Sequence, residues 1–245
     1  MKSLAFASRN VKEILRDPLN LAFGLGFPLV LLFLLSAIQA NIPIDLFNLE
    51  NLSPGIAVFG LSFFSLFSAM LIAKDRSTSF LMRLFASPLT PSHFIFGYTI
   101  PLLPIAIIQT IICFSAAILL GLTANVNLVW ALVVLIPTAI LFIGIGLLAG
   151  SLFSDKQVGA ICGALLTNLS AWLSGTWFDL NLVGGGFKAV AEALPFFHAV
   201  EAGRAAILGN YEAIFAHLTW VAGYAALIFI LAVVVFYNRM KSGEK

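Results

Sequence analysis

Six stretches of this chain are almost continuously apolar and contain no Asp, Glu, Lys or Arg: Leu21–Ile38, Gly55–Ala73, Phe94–Leu122, Leu128–Leu152, Val158–Phe178 and Leu218–Tyr237. A helix needs about 20 mostly apolar residues to cross the hydrocarbon core of a bilayer. The pattern therefore predicts an all-α integral membrane protein, with six transmembrane helices in one domain over residues 1–245. The runs do not alternate apolar and polar positions, which argues against a membrane β-barrel.

Between the spans the pattern changes. In residues 1–18, Leu4, Ala7, Val11, Ile14 and Leu15 share one helical face, and Lys2, Arg9, Lys12, Glu13 and Arg16 share the other. Such a helix lies at the headgroup level, and Pro18 breaks it from the first span. In residues 77–88, Ser77 or Thr78 caps a short helix. It places Phe80, Leu81, Leu84 and Phe85 on one face and Arg83 on the other, and stops at Ser87-Pro88. An apolar face of that kind suits either the headgroups or a docking partner. In residues 179–216, Gly184-Gly185-Gly186 gives a turn. Two helices too short to span follow, Phe187–Leu194 and His198–Leu208, broken at Pro195. Their Ala, Phe and Leu content suits a re-entrant dip into the outer leaflet.

Charge fixes the orientation. Only 10% of residues are charged and 61% are hydrophobic, where soluble chains carry roughly 25% charged residues. Lys2, Arg9, Lys12, Arg16, Lys74, Arg76, Arg83, Lys156, Arg239, Lys241 and Lys245 fall on one side of the predicted membrane; Lys188 and Arg204 fall on the other. The positive-inside rule then places both termini in the cytosol. A cleaved signal peptide is the competing reading of the first span, but about 20 residues precede it and the apolar run is long. Cys113 and Cys162 both sit within spans, as small packing residues rather than a disulfide or metal pair.

Within the spans, small and hydroxyl residues stand out. Gly159, Gly163, Thr167, Ala171 and Gly175 recur every four residues, a spacing that lets helix backbones approach closely. Asn168, Ser170, Ser174 and Thr176 make the same span polar, and Ser62, Ser65, Ser68 and Ala69 give the second span a milder stripe. Such residues either bond helices together or line a path. Pro101 and Pro104 predict a kinked or discontinuous third span. Gly146 and Gly150 predict a close-packing face on the fourth.

In this order and at these positions, four segments resemble the ABC-2 type permeases, the membrane subunits of one class of ATP-binding-cassette exporters. They are Arg9–Pro18 leading to Phe27-Pro28, Leu81–Thr90, Leu173–Phe178, and Leu194–His198 with the Ala-rich helix behind it. The resemblance covers essentially the whole chain. It implies two six-span subunits, as a homo- or heterodimer, on two copies of an ABC ATPase subunit. Residues 1–18 then correspond to the connecting helix and 77–88 to the coupling helix, with Thr78, Phe80, Leu81, Arg83, Leu84, Phe85 and Ser87 coupling to the ATPase. Ser62, Ser65, Asn168, Ser170, Trp172 and Ser174 line the substrate path. Gly159, Gly163, Thr167, Ala171 and Gly175 form the dimer interface, and 179–216 form an outer lid. Many members carry Glu near the end of the second span; here the matching stretch is Lys74-Asp75-Arg76.

The residues bear on energy supply independently. No span holds an ionisable residue of the kind that couples a secondary transporter to an ion gradient, with His93 and His217 only at the edges. No Gly-x-x-x-x-Gly-Lys-Ser/Thr phosphate loop is present either. No cofactor is expected on this chain, with ATP and Mg on the partner ATPase. Other expected partners are the second permease subunit and membrane lipid, without nucleic acid. The setting is a prokaryotic plasma membrane, and the substrate a drug, peptide or lipid-like amphipath. One rival is a self-sufficient channel or secondary carrier, suggested by the prolines and glycines in the spans. The other is an intramembrane enzyme on Ser174-Gly175; Trp172 stands where its motif needs Gly, and His198 and Glu201 lack a third metal ligand.

Overall fold

The computed structural model describes residues 2–43, 45–78 and 90–243. Among them every regular element is helical. Helix α1 is Lys2–Leu15 and α2 is Pro18–Gln39. The turn between them is set by Asp17, whose carboxylate accepts from the Asn20 backbone N–H at 3.2 Å, with Pro18 at the first helical position, where its missing N–H costs nothing. Helix α3 is Leu49–Ser77, capped by Asn48. Helix α4, Pro91–Leu119, starts in a capping box of Thr90 and His93. It runs through Pro101 and Pro104 without interruption, so the third span is not discontinuous.

The break falls instead in the fourth predicted span. Helices α5 (Asn127–Val134) and α6 (Ile136–Leu152) meet at Leu135. Pro137, just inside α6, has no N–H to return to Val133 and crowds that carbonyl. The fifth predicted span, Val158–Phe178, is not a single helix. It is assembled from α7 (Asp155–Val158), a π-helical segment (Gly159–Leu166) and α8 (Thr167–Leu173). The wide turns follow a run of small residues, and the Thr167 hydroxyl donates five residues back to the Cys162 carbonyl at 2.9 Å. Beyond it, α9 (Leu180–Val183), α10 (Gly185–Ala193) and α11 (Pro195–Ile207) fill the outer segment. Helix α12, Tyr211–Gly243, starts earlier than the sequence suggested and takes in residues assigned to that segment.

Among the described residues, five stretches are long and apolar enough to cross a membrane: Pro18–Gln39, Leu49–Ser77, Ser92–Leu119, Asn127–Leu152 (across the junction at Leu135) and Tyr211–Arg239. Helix α3 is the central post, with Ile56, Leu61, Phe64 and Ile72 fully buried. Its main neighbour is α6. The expected close-packing face is present: a Cβ at Gly146 would overlap the Ser65 carbonyl and Ser68 hydroxyl, and one at Gly150 would meet the Ala69 backbone. Across this contact Ser68 donates to the Ile143 carbonyl at 3.0 Å. Lipid tails are as apolar as leucine, so such close packing and hydrogen bonds, rather than hydrophobic burial, hold the bundle together. Helices α2 and α12 lie at the periphery, with only 17% of their most apolar windows buried.

Candidate functional site

Helix α1 is docked into the bundle. Phe6, Ala7, Asn10 and Ile14 are buried, whereas Leu15, expected on the apolar face, is exposed. Phe6 stands edge-on to Tyr98, with centroids 4.9 Å apart, and to Phe94 at 5.9 Å. The Asn10 amide donates to the Gly97 carbonyl at 3.0 Å. The buried face is therefore rotated toward Arg9 and Glu13, which the sequence assigned to the headgroup side.

Both residues meet the triplet that ends α3. Lys74, Asp75 and Arg76 point in different directions and reach different helices. Lys74 pairs with Glu13 of α1. Asp75 is 2% exposed and takes both guanidinium nitrogens of Arg9, at 2.5 and 2.6 Å, and the Tyr98 hydroxyl of α4 at 2.8 Å. Arg76 donates to the Ser151 carbonyl at 2.6 Å and to that of Phe153, satisfying the otherwise unbonded carbonyl end of α6. Three consecutive side chains thus bind α1, α4 and α6 to α3, at the Lys/Arg-rich end of the bundle. Burial opposes the Arg9 charge, but the hydrogen bonds and charge of Asp75 outweigh it and raise the Arg9 pKa above its ordinary value. The hydrogen bond from Lys74 holds Glu13 below the usual carboxylate range.

The knot sits where the chain leaves for residues 79–89. Thr78 ends α3, with its hydroxyl bonded to the Asp75 carbonyl at 3.1 Å, and Thr90 begins α4. The other expected coupling residues, Phe80, Leu81, Arg83, Leu84, Phe85 and Ser87, lie outside the described residues. Next to the knot is a cleft of about 350 Å³, lined by polar residues that include Arg16, Asn20 and Asp155 and by apolar residues that include Leu21, Phe67 and Met70.

Comparison with known proteins decides the family. The family model described as ABC-2 type transporter matches residues 2–208. The chain belongs to the ABC-2 type transporter family. It is 28% identical over 209 residues to a putative transport permease of Porphyra purpurea, covering 80% of this chain and 70% of that one. It is 26% identical over 212 residues to a putative transport permease of Pyropia yezoensis, covering 82% and 72%. It is also 26% identical over 122 residues to nodulation protein J of Rhizobium meliloti (strain 1021), covering 49% and 47%. The ABC-2 chain is thus a multi-pass membrane transport permease, of a family that implies an ABC ATPase partner.

In this ABC-2 permease the residues expected to line a path divide by exposure. Ser62, Ser65, Ser170 and Ser174 are buried, and each donates to a carbonyl three residues back in its own helix. Asn168 and Trp172 are exposed on the outward face of α8. The small-residue set divides as well. Thr167 and Ala171 are buried within the chain, a Cβ at Gly163 would meet Leu66 of α3, and Gly175 forms the turn after α8 at φ +71°. Gly159 is open, on the same side as Ala160, Ala164 and Asn168.

At the opposite end, Arg204 of α11 bonds Glu201 at 2.7 Å, the Gly175 carbonyl at 2.8 Å and the Asn51 carbonyl at 3.1 Å. One side chain so ties the outer helices to α3 and to the turn after α8. His198 stacks on Trp220 at 4.9 Å and shares a 2.8 Å hydrogen bond with His217. Glu201, Arg204 and His217 border a cavity of about 570 Å³. Sequence reasoning missed the Arg9–Asp75–Tyr98 cluster. The available signal was Asp75 itself, an acid at the end of an apolar span that needs a counter-ion.

Proposed function

We propose that this chain is the transmembrane subunit of an ATP-driven exporter in a prokaryotic plasma membrane. It crosses the membrane six times, the fifth time through α7, the π-helical segment and α8, and keeps both termini in the cytosol. Two permease subunits pair, and each rests on an ABC ATPase subunit through residues 77–88. ATP closure of the ATPases moves that segment. The motion passes into α3 and α4 and alters the path beside α8, through which an amphipathic drug, peptide or lipid-like molecule leaves the cytosol.

The observation that carries this reading is the knot at Lys74-Asp75-Arg76, which binds three neighbouring helices at the root of the segment expected to dock. A helix end used only as a membrane-surface anchor has no need of such fixation. Pairing through α8 draws support from Asn168: the residue is exposed on the single chain, its amide N–H donating to the Ala164 carbonyl four residues back at 2.8 Å, and polar groups within spans face other helices or water rather than lipid.

The docking claim is tested by charge insertion at Leu84 or Phe85. The Leu84→Asp variant is expected to insert normally and to lose the co-purifying ATPase. Retention of the ATPase at parental stoichiometry would contradict docking through this segment.

A further inference from the structure

We propose that His198 and His217 form a proton-operated clasp between α11 and α12, which one added proton leaves closed and a second opens. The two rings meet at the end of the bundle opposite the knot, which faces the outside under the topology proposed above. Their Nδ1 atoms are 2.8 Å apart. The other ring nitrogen of His198, Nε2, lies 2.8 Å from the carbonyl of Glu192 near the end of α10. A carbonyl only accepts, so Nε2 of His198 carries the hydrogen. In the neutral ring Nδ1 is then the acceptor, and the Nδ1–H of His217 donates to it. The two neutral rings are therefore opposite tautomers, which leaves the Nε2 lone pair of His217 to take a proton.

The proton count makes the switch. His217 borders the cavity at this end, and the first proton enters there, on Nε2. That tightens the clasp, because a charged donor makes a shorter and stronger bond. A second proton has only the Nδ1 lone pair of His198 to occupy, and that lone pair is the acceptor of the bond. Two imidazolium N–H groups then face each other, and repulsion replaces the bond. His198 stays in place. It is 8% exposed, keeps its bond to Glu192, and lies on Trp220 with ring planes 10° apart, a stack that accepts a cation. His217, edge-on to Phe197, is the ring that swings into the cavity. The charged groups bordering that cavity are Asp45, Asp179, Lys188, Glu192, Glu201 and Arg204. Lys188 pairs with Glu192 and Arg204 with Glu201, so carboxylates outnumber cations where the released imidazolium arrives. The other elements packed on these two helices bring no competing charge. Helices α5, α6 and α8 have no ionisable side chain. Glu50 of α3 lines a different cavity, His93 and Tyr98 of α4 sit at the knot end, and Glu212 is exposed at the start of α12. The Tyr224 hydroxyl still donates to the Ala193 carbonyl at 2.8 Å, so α10 and α11 loosen on α12 without parting from it.

The test is nitrogen NMR of the full chain, labelled at histidine and purified in mild detergent, between about pH 8 and about pH 5, either side of the ordinary imidazole value. The chain has 3 histidines, and His93→Gln identifies the remaining signal. At the alkaline end His198 should be the Nε2–H tautomer and His217 the Nδ1–H tautomer, with a coupling between their Nδ1 atoms across the hydrogen bond. At the acid end both rings should be charged and the coupling gone. Equal tautomers, or no coupling at the alkaline end, would overturn the inference. Hydrogen–deuterium exchange, corrected for the intrinsic effect of pH, reads the consequence. Protection of α11 should fall several-fold in acid while α3 keeps its own; an equal loss in α3 would contradict a local clasp. His217→Phe keeps a ring against Phe197 and cannot titrate, so its α11 protection should no longer respond to acid. A retained response would assign the effect to the carboxylates and overturn the clasp. If His217→Phe does not fold, His198→Phe, which keeps a ring on Trp220, takes its place with the same expectation. None of these readouts needs an ATPase, so the clasp and the proposed function fail separately.

Discussion

At the residue scale, the least expendable side chain is Asp75. Arg9 keeps 35% of its side chain exposed, so removing Asp75 costs less than the roughly 3–5 kcal/mol of breaking a fully buried pair. Asp75→Ala strands Arg9 and frees the Tyr98 hydroxyl, so its melting point in detergent should fall far below the parent's; a fall no larger than that of a surface mutation would refute the pairing. The Glu13–Lys74 pair gives a pH dependence. Glu13 titrates below its ordinary 4.5 in the folded chain, so its stabilisation is complete above that pH and is lost as the pH falls through the lower folded value. The stability difference between parent and Glu13→Gln should therefore be measurable at neutral pH and vanish in acid; a difference that grows in acid would reverse the sign. Neither pair was legible in the sequence. Arg9 and Asp75 are far apart along the chain, and amphipathic spacing alone assigned Arg9 and Glu13 to the headgroups. The spacing could not register that Phe6 and Asn10, one helical turn apart, define a second buried face.

At the element scale, the same glycine spacing has different meanings in different helices. Gly146 and Gly150 meet α3 backbone within the same chain. Gly150→Leu should disrupt the α3–α6 contact at more than the roughly 1–3 kcal/mol of ordinary overpacking, because backbone cannot move aside as a side chain can. A folded, parental-stability Gly150→Leu would contradict this contact. A Cβ at Gly159 would meet no packed neighbour within 4 Å among the described residues, so Gly159→Leu should leave the single chain's stability unchanged and weaken subunit pairing. Crosslinking yield between two tagged copies measures this; unchanged pairing would place the interface elsewhere. The prolines were harder to read. Pro101 and Pro104 leave α4 continuous, while Pro137 separates α5 from α6. Whether a proline breaks a helix in a membrane depends on which neighbours satisfy the freed carbonyls, and sequence does not display those neighbours.

At the scale of the whole molecule, the apolar runs made the all-helical membrane architecture legible, because span length is set by bilayer thickness and charge is costly inside it. The interrupted fifth span was not legible. Its residues are apolar enough to span, and the choice between α and π turns is made by local packing that hydropathy does not record. Arg204 closes the opposite end by holding α11 to α3 and to the turn after α8. Its three bonds were equally invisible in a loop that showed only charge and an Ala-rich helix. In the proposed mechanism the two ends have different roles: the knot receives force from the docking segment and the outer helices respond. The measurement that tests this most directly is purification of the tagged chain from its native membrane in mild detergent, with mass spectrometry of co-purifying proteins and an assay of vanadate-sensitive ATP hydrolysis. A stoichiometric ABC ATPase and hydrolysis by the complex are expected. A partner-free protein without ATPase activity, which passes solute across vesicles in the absence of ATP, would contradict the proposed function.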